Sequence, residues 1–167
     1  MAMVYVPRRL VREVRERGVD LQSAVVEALA ERLKLDPSVN AEAHLELAER
    51  FLSEGLSLID RDPVQASEKL YKAMEECVKA VALILGLHGV LARAGERWTV
   101  TDLERAVREA SRRLGRGFME AWDSANYLHV WGFHEARLDG EAVRVRAPVI
   151  AAAVEAAKRL LVGGGAH

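Results

Sequence analysis

Two Asp-Pro steps, at Asp36-Pro37 and Asp62-Pro63, constrain what this chain can fold into more than any other feature. An aspartate at a helix N-cap accepts a hydrogen bond from a backbone N–H that has no partner inside the helix. A proline in the first turn lacks an N–H that would have gone unpaired anyway. Each step opens a long proline-free stretch with apolar residues at three- and four-residue intervals. These are Leu45, Ala48, Leu52, Leu56 and Ile59 after the first, and Leu70, Ala73, Cys77, Ala80 and Ile84 after the second. That period predicts two long helices, ending near Ile59 and Leu87.

Punctuation elsewhere predicts more helices. Pro7 opens "PRRLVREVRER" and Gly18 closes it, in a position that glycine occupies without strain. Asp20 is a natural N-cap for the next helix. Thr101 and Glu104 have the spacing of a capping box ahead of "LERAVREASRRL". A further helix is expected over 117–131. A last one runs into "APVIAAAVEAAKRLLV", with Pro148 kinking it or lying in its first turn. Beyond the first six residues no stretch reads as a strand. The expected fold is all-α, with a helical arm over 1–36, a bundle over 37–162 and a flexible tail over 163–167.

The helix after Asp62 has a second apolar stripe, Val64, Tyr71, Met74, Val78 and Val81. A helix apolar over most of its circumference is surrounded by partners, so it should be central. Its charges, Glu68, Lys72, Glu75, Glu76 and Lys79, pair at i,i+4 steps and read as a solvated, salt-bridged face.

Composition closes off several classes. Half of the chain is hydrophobic and its net charge is -1, which gives no general attraction to nucleic acid or to an anionic membrane. Cys77, the single cysteine, excludes an internal disulfide and a multi-thiolate zinc site. The longest apolar run, "AVALILGLHGVLA" over 80–92, is too short to span a bilayer and is broken by Gly86, His88 and Gly89. With no secretory signal in view, a cytoplasmic protein is expected. Side-chain amides are confined to Asn40, Asn126, Gln22 and Gln65, a scarcity that suits a thermophile.

The stretch "NYLHVWGFHE" over 126–135 gathers the candidate site residues. On a regular helix Trp122, Asn126, His129 and Phe133 share one stripe, and Tyr127, Trp131 and His134 another. His129 and His134 then stand about 140° apart, at ~3.6 residues per turn, and cannot hold one metal ion together from a regular helix; only if Gly132 ends the helix before His134 can the second imidazole swing back. Neither a metal nor a cofactor is expected. Cys77 lies in an apolar stripe, as a packed thiol does. What remains is acid–base work by His129 or His134, with aromatic neighbours stacking a base and Arg137 holding a phosphate. The plainer reading is a polar-aromatic pocket at a bundle end, lined by Tyr71, Trp122, Asn126, His129, Trp131, His134, Glu135 and Arg137. In that pocket Asn126 and His129 satisfy one another.

"DPVQASEKLYKAMEECVKAVA", preceded by "AEAHLELAERFLSEGLSLI" and followed by "LHVWGFHE", resembles the archaeal PaREP-type family, which falls within the HEPN superfamily of helical bundles. The resemblance covers about 20–160. It implies a four- or five-helix up-and-down bundle that commonly dimerises, and no settled activity. Many HEPN proteins are ribonucleases carrying Arg-x4-6-His, and this chain departs from that pattern. The nearest arginine upstream of His129 is Arg116, thirteen residues away. Separately, the first 36 residues are similar to ribbon-helix-helix antitoxin segments, although "MAMVYV" offers no side chain suited to reading bases.

Together these features lead to the expectation of a HEPN-like homodimer that binds a nucleic acid, a nucleotide or a protein partner without catalysis. The alternatives are a diverged metal-independent ribonuclease using His129 and His134, and a DNA-binding regulator acting through the N-terminal arm.

Overall fold

Helix starts lie where the aspartates place them. In the computed structural model, which describes residues 3–95 and 97–164, Asp20 accepts from the backbone N–H groups of Gln22 and Ser23, Asp36 from Ser38, and Asp62 from Gln65. All the regular structure among the described residues is helical. The chain divides into two compact units, Met1–Leu35 and Asp36–His167.

The first unit holds α1 (Arg8–Glu16) and α2 (Leu21–Leu33). Gly18 has φ +66°, which closes α1 as expected. Residues 3–7 form no strand; Met1 and Ala2, the rest of the compared ribbon segment, lie outside the described residues. Val25 and Leu29 are exposed, whereas Val11 and Val14 are half-buried.

The second unit is built around α4 (Pro63–Ile84), which packs on α3 (Pro37–Leu58), α5 (His88–Ala94), α6 (Val100–Leu114), α7 (Arg116–Tyr127), α8 (Gly140–Arg144) and α9 (Ala147–Gly164). It is the central helix that its two apolar stripes predict. Leu70, Met74, Cys77, Val78 and Val81 are buried in one continuous core with Leu103, Val107, Trp122, Leu128, Ile150 and Val154.

Some expectations need correction. The capping box of α6 is Thr99 with Asp102, not Thr101 with Glu104. Both pairs have the right spacing, and Glu104 instead accepts a hydrogen bond from the buried Trp122. The run over 80–92 does break at Gly86, which turns the chain with φ +59°, but it resumes as α5, a helix that the punctuation does not announce. The short α8, capped by Asp139, was not expected at all. Pro148 lies in the first turn of α9, and α9 continues through Gly164, into the stretch read as a tail. Residues 165–167 lie outside the described residues.

The largest departure is the charged face of α4. Glu76 and Lys79 are 0% and 2% exposed, and Glu68, Lys72 and Glu75 are half-buried. The face is covered rather than solvated. Local spacing does not distinguish the two cases, because the cover comes from His44 on α3 and from the segment after α7.

Candidate functional site

The helix that begins at Arg116 does not stay regular. From Leu128 to His134 it widens into a π-helical segment, in which the backbone bonds run from i to i+5. Gly132 explains where this segment can sit. A Cβ there would lie 2.6 Å from Ser67 Cβ on α4, so only glycine permits so close an approach. Ser67 fits below it with its hydroxyl donated to the Pro63 carbonyl at 2.7 Å.

Widening changes which side chains meet. The wider turn, with its hydrogen bonds from i to i+5, brings positions 129 and 134 closer around the axis than a regular helix does. His134 Nε2 lies 3.0 Å from His129 Nε2, and the rings meet edge to face. The other nitrogen of His129, Nδ1, lies 2.8 Å from a Glu68 carboxylate oxygen. The expected separation of the two histidines holds only for a regular helix and fails here. Glu68, His129 and His134 form a line that begins half-buried on α4 and ends at the exposed His134.

The proton positions follow from the donor inventory. An ionised carboxylate only accepts, so His129 Nδ1 carries a hydrogen and donates it to Glu68. In neutral His129 the Nε2 lone pair then accepts from His134 Nε2–H. That leaves Nδ1 of His134 as the nitrogen with a free lone pair. When it takes up a proton, the new imidazolium remains hydrogen-bonded to His129 and, through it, to a carboxylate.

Tyr71 braces the line from beneath, its ring stacked on His129 with centroids 4.0 Å apart and planes at 22°. Burial pushes the Tyr71 phenol well above its ordinary range, with Glu75 and Glu68 adding to the effect and Lys79 opposing it. Tyr71 is therefore neutral at physiological pH.

A second charged line continues along α4. His44 Nδ1 lies 2.6 Å from Glu76, and Lys79 Nζ lies 2.9 Å from the other Glu76 oxygen and 3.1 Å from Glu75. Lys72 meets the second Glu75 oxygen at 3.2 Å. Burial alone would raise the Glu76 carboxyl. The His44 hydrogen bond and the Lys79 ammonium outweigh it and hold Glu76 at about 2. For Lys72, burial acts downward, but Glu75 and Glu68 together raise it above the ordinary lysine value. Burial pushes the Cys77 thiol up to about 12, and its sulfur faces the Ala153 carbonyl, so it is a packed, unreactive group.

The remaining expected pocket residues separate. Trp122 is buried and donates to Glu104 at 2.7 Å. Asn126 donates to the Trp122 carbonyl at 3.0 Å rather than to His129, which already has Glu68 and His134 as partners. Trp131, Glu135 and Arg137 are exposed and outside the charged lines. Sequence reading did not single out His44. It sits in the apolar series Ala41, Leu45, Ala48 and Phe51, where a lone polar residue calls for a buried partner. Among the described residues no three His, Cys, Asp or Glu side chains are grouped to hold a metal ion.

The model of the Archaeal PaREP1/PaREP8 family matches residues 43–154, a span that contains His44, the charged residues of α4, His129 and His134. A crystal structure of a protein from Sulfolobus solfataricus is 34% identical to this chain and covers 72% of it and 95% of its own length, with a TM-score of 0.59. No curated protein matches.

Proposed function

The chain belongs to the archaeal PaREP1/PaREP8 family, and from that premise we propose that it is a HEPN-like, dimeric helical bundle whose working end is the Glu68–His129–His134 line. In this reading residues 1–36 form the helical arm and 37–162 the bundle. The line transfers protons in metal-independent cleavage of RNA. The observation that supports this reading is the hydrogen-bonded run from a half-buried carboxylate through two imidazoles to solvent. Such a run orients a base and stabilises its protonated form. RNA suits it because its own 2′-hydroxyl is the nucleophile. His134 takes the proton of that hydroxyl as the oxygen attacks phosphorus. The same proton then passes to the departing 5′ oxygen, leaving a 2′,3′-cyclic phosphate. π turns occur often at functional sites, which adds support.

A second reading keeps the same end as a binding surface for a nucleotide, a nucleic acid or a protein partner, without turnover. It is favoured by one feature of the sequence, the lack of an arginine four to six residues before His129. Incubation of the purified protein with RNA in excess EDTA separates the two. Cleavage to cyclic-phosphate ends, lowered about 100-fold or more in His134→Ala without loss of helicity, supports the first. Binding of RNA with no cleavage supports the second.

A further inference from the structure

Two aromatic rings, Tyr127 and Trp131, stand exposed on the stretch of chain that carries His134. Trp131 is 46% exposed and Tyr127 41%, whereas Trp122, on the same stretch of chain, is buried. Tyr127 and Trp131 are four residues apart across the join of α7 and the π segment, with ring centroids 6.4 Å apart and planes at 41°. The core does not need either ring where it stands.

One guanidinium group lies against the pair, and the backbone brings a second arginine near it. The Arg146 guanidinium lies 4.2 Å from the Tyr127 ring centroid, and its Nη1 is fixed by donation to the Ala142 carbonyl at 2.8 Å. Arg137 is brought to Trp131 by the backbone. Its N–H donates to the Trp131 carbonyl at 2.8 Å across Ala136, which is held at φ +49°. Side chains other than glycine and asparagine seldom adopt that conformation, and such strain gathers at functional sites. Among the described residues neither arginine has a carboxylate partner, while Arg144 nearby is held by Asp60 and Glu141.

We infer that Tyr127 and Trp131, with Arg146 and Arg137, form a stacking platform for a base of single-stranded RNA, seating the adjoining phosphate toward His134. The inference rests on the RNA reading above and deepens it. Exposed π faces flanked by cations free of carboxylate partners fit a polyanion whose monomers carry flat rings. Val130 and Val145, each next in sequence to a platform residue, are also exposed and would instead suit a second copy of this chain, and that occupant is one outcome of the test.

The probe is a fluorescein-labelled, all-2′-deoxy oligonucleotide, which lacks the 2′-hydroxyl and so reports binding without cleavage. Anisotropy should show tight, salt-sensitive binding to the wild type, weakened ~10-fold or more in Trp131→Ala and largely retained in Trp131→Phe. An abasic oligonucleotide should bind the wild type as weakly as it binds Trp131→Ala. Equal affinity of Trp131→Ala and wild type overturns the platform, as does indifference of the wild type to base removal or its failure to bind. A fall in mass on light scattering for Trp131→Ala, with oligonucleotide binding unchanged, also overturns it and gives the rings to a second copy. Loss of RNA cleavage in EDTA by the wild type, with base-dependent binding intact, counts against the catalytic reading alone.

Discussion

His134 Nε2 lies 3.0 Å from His129 Nε2, and the contact depends on the π turn that Gly132 allows against Ser67. Gly132→Ala puts a methyl group into Ser67, so the segment must lift off α4 or the helix must rewind. The expected loss is about 1–3 kcal/mol, the usual cost of overpacking. Ser67→Gly in the same chain should recover most of it. Urea unfolding of the single and double variants checks this, and an additive double variant would rule out the contact.

Burial divides the lysines. Lys79 is 2% exposed between Glu75 and Glu76, whereas Lys158 bridges Glu49 and Glu155 at the surface. Lys79→Met leaves Glu76 and Glu75 short of a counter-charge in the interior and should cost about 3–5 kcal/mol. Lys158→Met should cost far less, because solvent screens an exposed ion pair. Chemical denaturation of the two variants compares them directly, and equal losses would mean that Lys79 is solvated.

Acid stability follows from Glu76. Folding holds its pKa at about 2, below its ordinary value of 4.5. The folded state therefore favours the ionised carboxylate. The resulting stability is fully present above about pH 4.5 and is lost as the pH falls toward 2, a contribution on the order of a few kcal/mol. Glu76→Gln is less stable at neutral pH, and its stability should fall less steeply across that window. Melting temperatures measured from pH 6 down to pH 3 check it. Parallel curves for variant and wild type would contradict the assignment.

The proposed dimer is tested through the exposed apolar residues of α2. Val25 is 41% exposed, Leu29 51% and Leu33 62%. Light scattering at micromolar concentration should give twice the chain mass of 18.5 kDa, and Leu29→Glu should lower it toward the monomer. A wild-type monomer would contradict the dimer.

How legible each feature was depends on how local its cause is. Asp20, Asp36 and Asp62 act on backbone groups two or three residues away, so the helix starts can be read from the sequence. Thr99 and Thr101 offer two caps of equal spacing, and local rules do not choose between them. The centrality of α4 was visible because both of its apolar stripes lie in one segment. The burial of Glu76 and Lys79 was not, because it comes from His44, 32 residues away from Glu76. In an i,i+4 pattern a covered charge and a solvated one look alike. The π turn was hidden for a similar reason. Its cause is the fit of Gly132 over Ser67, a pair distant in sequence, so a regular-helix reading sets His129 and His134 too far around the axis to share a metal ion, and Gly132 signals only that the helix could end there.

The relay itself can be observed through the histidine nitrogens. Long-range 1H–15N correlation spectra at neutral pH distinguish a protonated Nδ1 from a protonated Nε2 in each ring. Glu68 and His134 at 2.8 Å and 3.0 Å from the two nitrogens of His129 predict that neutral His129 carries its hydrogen on Nδ1 and neutral His134 on Nε2. In Glu68→Ala the His129 preference should be lost. A wild-type His129 with its hydrogen on Nε2, unchanged by Glu68→Ala, would contradict the relay.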